Sequence, residues 1–71
     1  MSNALSPVLQ NSLPRDKAAA YIGVETTTLA GWAHNGKYRD VLPFAMIGKR
    51  AYYRIADLDR FIESRFSHSA Q

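Results

Sequence analysis

The sequence predicts a small, mainly α-helical domain that carries one β-hairpin. The chain has 71 residues, the size of a single domain. Two short segments with helical spacing lie on either side of Gly23. Two apolar runs enclose the polar tip Gly48-Lys49-Arg50, a pattern typical of a hairpin. With a last amphipathic segment, the predicted order is helix, turn, helix, hairpin, helix.

The first helix is expected over residues 14–22. Pro14 suits the first helical position, because an N–H group there has no partner within the helix. Asp16 places a negative charge in the first turn, and the segment DKAAAYI is rich in residues that favour helices. Gly23 and Val24 then interrupt the pattern and predict a tight turn.

The second helix is expected over residues 26–35. Leu29, Trp32 and Ala33 follow each other at the i, i+3 and i+4 spacing of one helical face, which predicts that this face is buried. Asn35 and Gly36 mark the end of the helix, because glycine readily accepts the left-handed conformation that follows a last turn.

The hairpin arms are expected over residues 43–47 and 51–55. Alternation along the second arm predicts two faces, one with Ala51, Tyr53 and Ile55 and the other with Tyr52 and Arg54.

The last helix is expected over residues 56–66, with Asp57 and Asp59 in its first turn, where acids stabilise the helix end. Helical or alternating spacing indicates a core of seven residues: Leu29, Trp32, Phe44, Tyr53, Leu58, Phe61 and Ile62.

Both ends of the chain lack a hydrophobic pattern. Residues 1–12 and 67–71 are polar or small and show no periodicity, so we expect them to form flexible tails. The folded domain is expected over residues 13–66.

Positive charge is concentrated in the middle of the chain. The net charge is +3. Residues 37–54 contain five basic side chains and the single acid Asp40; the basic ones are Lys37, Arg39, Lys49, Arg50 and Arg54. This distribution favours a polyanionic partner.

The composition argues against several classes of protein. No cysteine is present, so the sequence offers neither a disulfide framework nor a thiolate, and a cytoplasmic location is expected. No stretch reaches the ~18–20 apolar residues of a membrane span, and the first residues do not resemble a signal peptide, so no membrane partner is expected.

Chemistry at an active centre is not expected either. The histidines His34 and His68 have no carboxylate cluster beside them, so no metal site is predicted. The sequence contains no glycine-rich phosphate loop and no nucleophile with a positioned base, so we expect neither a cofactor nor an enzyme.

The predicted order of elements suits duplex DNA. Two short helices joined by a tight turn form a helix-turn-helix, whose second helix fits a major groove about 12 Å wide. A basic hairpin directly after that helix has the position of a wing, which reaches phosphates or the minor groove. The fold class predicted is therefore a winged helix-turn-helix.

The chain resembles the small winged helix-turn-helix proteins of phages and mobile elements, which include excisionases and AlpA-like or MerR-like regulators. The resemblance covers residues 13–65 and rests on the order and spacing of several short motifs: Ala18-Ala19, Tyr21-Ile22-Gly23-Val24, Thr28-Leu29, Trp32, Gly36-Lys37, Ile47-Gly48-Lys49-Arg50, Tyr53-Arg54, Asp57-Leu58 and Phe61. It implies DNA binding through the second helix and the wing, in transcription or site-specific recombination. Unlike many members of that family, this chain has no Lys or Arg in the second helix.

Ten residues are the candidates for DNA contact. They are the exposed side of the second helix, the cations that follow it and the wing: Thr26, Thr27, Ala30, Gly31, His34, Lys37, Arg39, Lys49, Arg50 and Tyr52. Threonine can contact bases, small residues let the helix approach the groove floor, and Lys and Arg bind phosphates.

Some of these residues have a second interpretation. Thr26 is equally suited to cap the helix. Tyr52 is as consistent with plain solvent exposure as with a phosphate contact, and Lys49 and Arg50 suit any exposed hairpin tip. Outside the ten, Arg54 has Asp57 or Asp59 as candidate partners, while Arg15 and Lys17 at the first helix are either phosphate contacts or ordinary surface charges.

The sequence therefore predicts specific duplex DNA binding by a phage-type transcriptional regulator or excisionase, with copies of the chain on adjacent sites as expected partners. The alternative is an adaptor that uses the same fold, with its last helix or a tail, to bind a recombinase or repressor. An RNA-binding module is less favoured, because no exposed aromatic sheet face is predicted.

Overall fold

The described part of the chain contains four helices and one antiparallel sheet. A computed structural model describes residues 6–69, with side chains from 6 to 66. The elements in chain order are α1 (Pro7–Gln10), β1 (Ser12–Pro14), α2 (Arg15–Ile22), α3 (Thr26–Asn35), β2 (Phe44–Ile47), β3 (Arg50–Arg54) and α4 (Ile55–Ser69). The three strands lie in the order β1-β3-β2. No helix in this described part is both long and apolar enough to cross a membrane.

The N-terminal boundary of the folded unit differs from the prediction. Residues 7–10 form the helical turn α1, which is capped by the Ser6 hydroxyl accepting the Leu9 N–H at 3.2 Å. Ser12 begins β1, is 9% exposed, and donates its hydroxyl to the Val8 carbonyl at 2.7 Å. The expected tail over residues 1–12 is therefore wrong for 6–12, and residues 1–5 lie outside the described part.

Strand β1 was not predicted, because β3, the strand that pairs with it, lies far away in the sequence. Ser12 pairs with Arg54 and Leu13 with Tyr53. Pro14 pairs with Tyr52. It occupies the N-cap position of α2 with an extended backbone, so it precedes the helix instead of being its first residue. Only three residues long, β1 has no room for a clear alternation in the sequence.

The helical pair around Gly23 is confirmed. Gly23 ends α2 with φ +83°, in the left-handed region. After it, the Val24 N–H donates to the Ala19 carbonyl at 2.9 Å, which closes the helix end. Glu25 occupies the N-cap position of α3 and makes no side-chain hydrogen bond there. Thr26 is the first helical residue, so of its two interpretations the one as helix cap is wrong.

The hairpin is also confirmed, with shorter arms. Ile47 pairs with Arg50, so the connecting loop consists of Gly48 and Lys49 alone. Gly48 has φ +66°, as the first central position of a type II′ turn requires. Arg50 is thus the first residue of β3 and not part of the loop.

The last helix is longer than expected at both ends. Ile55, predicted to lie in the hairpin arm, is the first residue of α4, which continues to Ser69 through residues expected to form a tail. Residues 70 and 71 lie outside the described part. Because α4 begins at Ile55, Asp57 alone is the acid in its first turn.

The core lies between helices α2, α3 and α4 and one face of the sheet. Its buried residues are Ala18, Ala19, Leu29, Leu42, Ala51, Tyr53, Leu58 and Phe61. Four of these are residues that the sequence predicted as core; the predicted residues Trp32, Phe44 and Ile62 are half-buried. Leu42 was missed because it lies in an irregular loop, where no periodicity identifies it.

A polar contact joins α2 to α4. The Tyr21 hydroxyl donates to the Asp59 carboxylate at 2.7 Å. This hydrogen bond, together with some desolvation and the negative charge of Asp59, raises the pKa of Tyr21 above its ordinary value of 10.0.

We predict that Leu58→Ala lowers the free energy of unfolding by about 2–5 kcal/mol, because Leu58 is 0% exposed and its removal leaves a cavity. Leu9→Ala, at a half-buried position on α1, is the matched control and should have a smaller effect. Urea unfolding followed by circular dichroism measures both. Equal losses for the two variants would contradict this account of the core.

We also predict that Asp59→Ala lowers the pKa of Tyr21 towards its ordinary value. The folded state favours the neutral phenol, so the stability that this hydrogen bond adds is present below pH 10.0 and is lost as the pH rises through the folded pKa. Ultraviolet absorbance of tyrosinate measures the titration, with Tyr21→Phe identifying the signal. An unchanged titration in Asp59→Ala would refute the contact.

Candidate nucleic-acid interface

The outer side of α3 is open and nearly free of charge. Thr26, Thr27, Gly31 and His34 are exposed, and Ala30 is half-buried. Leu29, on the opposite side, is buried in the core. The helix therefore presents a surface of small and hydroxyl side chains, as the spacing predicted, and a Cβ built at Gly31 meets no atom within 4 Å.

Lys37 and Arg39 lie where α3 meets the sheet. Both line a narrow cleft whose other residues come from α3, its following loop and the strands: Leu29, Trp32, Ala33, Leu42, Phe44 and Tyr53. The Arg39 guanidinium lies against the helix end, with its Nη2 atom 3.7 Å from a Cβ built at Gly36. The two cations are thereby placed next to the C-terminal end of α3.

The loop conformation that positions Lys37 depends on Tyr38. Tyr38 has φ +64°, the left-handed region that non-glycine residues rarely adopt. Its ring packs edge-on against Trp32 at 4.8 Å and Phe61 at 5.2 Å between centroids. Lys37 lies over the same ring, with Nζ 5.3 Å from the centroid. The aromatic packing offsets the backbone strain and holds the loop between α3 and α4.

Arg65 is a cation that sequence reasoning missed. Its Cζ lies 5.2 Å from the Tyr38 centroid and 4.9 Å from that of Phe61. Lys37 and Arg65 therefore share one aromatic ring, which places positive charge from α4 beside the loop after α3. No local pattern indicates this, because the contact depends on where α4 crosses the loop.

Lys49 and Arg50 are exposed at the end of the hairpin. Gly48 turns the chain so that the loop projects beyond the paired residues Ile47 and Arg50. Within the described residues, neither cation has an acidic partner at ion-pair distance. Both charges remain open to an anionic partner.

Tyr52 lies on the same sheet face as Arg50 and apart from the candidates on α3. It is half-buried on the sheet face opposite Tyr53, and it lines a groove with Val8 and Leu9 of α1. The core and α3 are on the other face. The structure therefore does not bring Tyr52 together with α3, and the prediction of a fully exposed wing residue is corrected to a half-buried one.

Arg15 and Asp57 make contacts that differ from those expected from the sequence. Arg15 donates from Nε to the Tyr53 hydroxyl at 3.3 Å and lies over Phe44, with Cζ 5.3 Å from the ring centroid. It therefore supports the core. Asp57 forms an ion pair with Arg60 at 3.8 Å, so the pairing of Arg54 with Asp57 or Asp59 is wrong.

Comparison of the chain with protein-family models, with curated proteins and with solved structures finds no match. Within the described part of the chain, no three His, Cys, Asp or Glu side chains form a group that could hold a metal ion.

We predict opposite effects of adding a methyl group at two glycines. Gly31→Ala should raise the free energy of unfolding by about 0.5–1 kcal/mol, because alanine favours the helix and the added carbon meets nothing. Gly48→Ala should lower it by about 1 kcal/mol, because φ +66° strains any residue with a Cβ. Thermal unfolding of both variants checks this, and a destabilised Gly31→Ala would show that α3 packs more tightly there than described.

Proposed function

We propose that this domain binds duplex DNA as a winged helix-turn-helix, in a transcriptional regulator or excisionase of the phage and mobile-element type. The observation that carries the proposal is the arrangement of charge around α3. Lys37 and Arg39 lie at the end of the helix, while Lys49 and Arg50 lie exposed at the end of the hairpin that follows it, without an ion-pair partner among the described residues. Cations at the end of an exposed helix and at the end of the hairpin that follows it in the chain suit contacts with the phosphate backbones beside a groove.

Contacts to bases come from the N-terminal half of α3 in this arrangement. Thr26 and Thr27 bring hydroxyl and methyl groups to base edges, and Ala30 and Gly31 let the helix backbone approach the groove floor. His34 lies one turn further along, near Lys37. The wing contributes charge, since arginine is attracted to narrow minor grooves.

Affinity in this proposal comes mainly from phosphates. With about four to six phosphates neutralised, the logarithm of the binding constant falls against the logarithm of salt concentration with a slope near −4 to −5. The few side chains able to read bases imply that specificity also depends on copies bound side by side or on the bending of the DNA.

The lack of Lys and Arg in α3 supports a second candidate function, an adaptor that binds another protein through this fold. The double substitution of Lys49 and Arg50 by Ala distinguishes between these two candidate functions. A DNA-binding protein then loses affinity for duplexes, whereas an adaptor keeps its protein partner.

We predict that Arg50→Ala weakens duplex binding and makes the salt slope shallower by about 0.9, the contribution of one phosphate contact. Arg60→Ala is the matched control, because it removes the same charge from a side chain on α4 that is 77% exposed and is not one of the proposed contacts. Fluorescence anisotropy on a pool of random duplexes, at several salt concentrations, measures both variants. A salt-independent affinity, or equal effects of the two substitutions, would overturn the proposal.

A further inference from the structure

The sheet face opposite the core carries an open apolar groove. It has a volume of about 200 Å³ and lies between α1 and the hairpin. Val8 on one side and Ile47 on the other are 56% and 45% exposed. Tyr52 and Arg54 of β3 also line it. This space is large enough for one bulky apolar side chain, and it opens beside β2.

β2 is an edge strand with backbone groups that point away from the sheet. The pair Ile47 and Arg50 closes a two-residue loop, so these two residues exchange hydrogen bonds, and the next bonded pair is Ala45 with Tyr52. Phe44 and Met46 occupy the alternate positions. Their N–H and C=O groups therefore face outward from β3.

This edge lacks the features that usually prevent strand pairing. Residues 44–47 contain no charged residue and no proline, and their register with β3 is continuous. Ala45, Met46 and Ile47 are exposed. A row of free donors and acceptors beside an apolar groove fits the addition of an extended strand, with one side chain entering the groove.

The charges near this edge distinguish between two possible binding partners, a second copy of the chain and a segment of a different protein. Arg54 and Asp57 both line the groove. Within the described residues Asp57 is paired with Arg60, whereas Arg54 is exposed and has no ion-pair partner. A second copy offers no carboxylate in its own β2 and would bring two more cations, Lys49 and Arg50, to an already basic edge. An acidic segment of a different protein complements the site.

We propose that β2 and the adjacent groove bind an extended segment of a partner protein. In this complex the segment pairs with the backbone of Phe44 and Met46, inserts an apolar side chain beside Ile47 and Val8, and places an Asp or Glu carboxylate against Arg54. This surface is on the opposite sheet face from α3, and the proposal does not depend on DNA binding.

The test begins with a phage-displayed library of random peptides, screened against the full chain in the absence of DNA. The most enriched peptide is then synthesised with a fluorescent label. We expect alternating apolar residues together with an acid, and shifts of the backbone amide signals of residues 44–47 when the peptide is added to ¹⁵N-labelled protein.

Two substitutions at one position isolate the backbone contact. Met46→Pro removes an N–H that faces away from β3, so the hairpin ladder is kept, whereas Met46→Thr removes the same side chain but keeps the N–H. We expect Met46→Pro to bind the peptide about tenfold more weakly than Met46→Thr, the effect of one lost hydrogen bond. Circular dichroism checks that both variants are folded.

A charge exchange at Arg54 tests the contact with the acidic residue of the peptide. This test does not depend on whether the strand tolerates Met46→Pro. Arg54→Glu should weaken binding about tenfold, and a peptide with Lys in place of its acid should recover the loss. Failure to enrich such peptides, equal affinities of Met46→Pro and Met46→Thr, or shifts centred on α3 would each overturn the proposal. A dimer of the chain in sedimentation velocity that Met46→Pro abolishes would identify a second copy as the occupant instead.

Discussion

The burial of Tyr53 in the central strand is the constraint on which the other features depend. Tyr53 is 1% exposed, pairs with Leu13 on one side and Phe44 on the other, and accepts a hydrogen bond from Arg15. Its ring lies 5.5 Å from that of Phe44. Because β3 has a strand on each side, its position determines where the hairpin loop projects and which residues reach the opposite face.

Alternation along β3 separates two surfaces with different chemistry. Ala51 and Tyr53 face the core and, through it, α3. Tyr52 and Arg54 face the groove beside α1. In a domain of this size nearly every residue is close to the surface, so two binding faces are available without an enclosed site. Arg50 alternates to the same face as Tyr52 and Arg54, so the proposed DNA surface and the proposed peptide surface meet at the hairpin end, while α3 lies on the other face.

The loop after α3 shows how a small core orients charged side chains. Tyr38 adopts a left-handed conformation that costs about 1–2 kcal/mol for a residue with a Cβ. Contacts with Trp32 and Phe61 compensate for this strain and connect α3 to α4. Lys37 and Arg65 both lie over the Tyr38 ring, so the cluster that stabilises the loop also concentrates positive charge there.

Local signals in the sequence were sufficient to predict helices α2 and α3 and the hairpin. Gly23 and Gly36 accept positive φ angles that end α2 and α3, and Gly48 does the same in the hairpin loop. Each acts within a few residues, which is the range over which backbone conformation and hydrophobic spacing can be recognised in a sequence. The exposed side of α3 followed from the same spacing.

The tertiary structure alone decided the contacts that join distant segments. The pairing of Ser12 with Arg54 turns an expected tail into a strand, and α1 covers part of the sheet face where Tyr52 was expected to be open. The approach of Arg65 to Tyr38 is likewise a result of packing between α4 and a loop. Such contacts depend on how completed elements meet in space, and no spacing within a short stretch of residues encodes them.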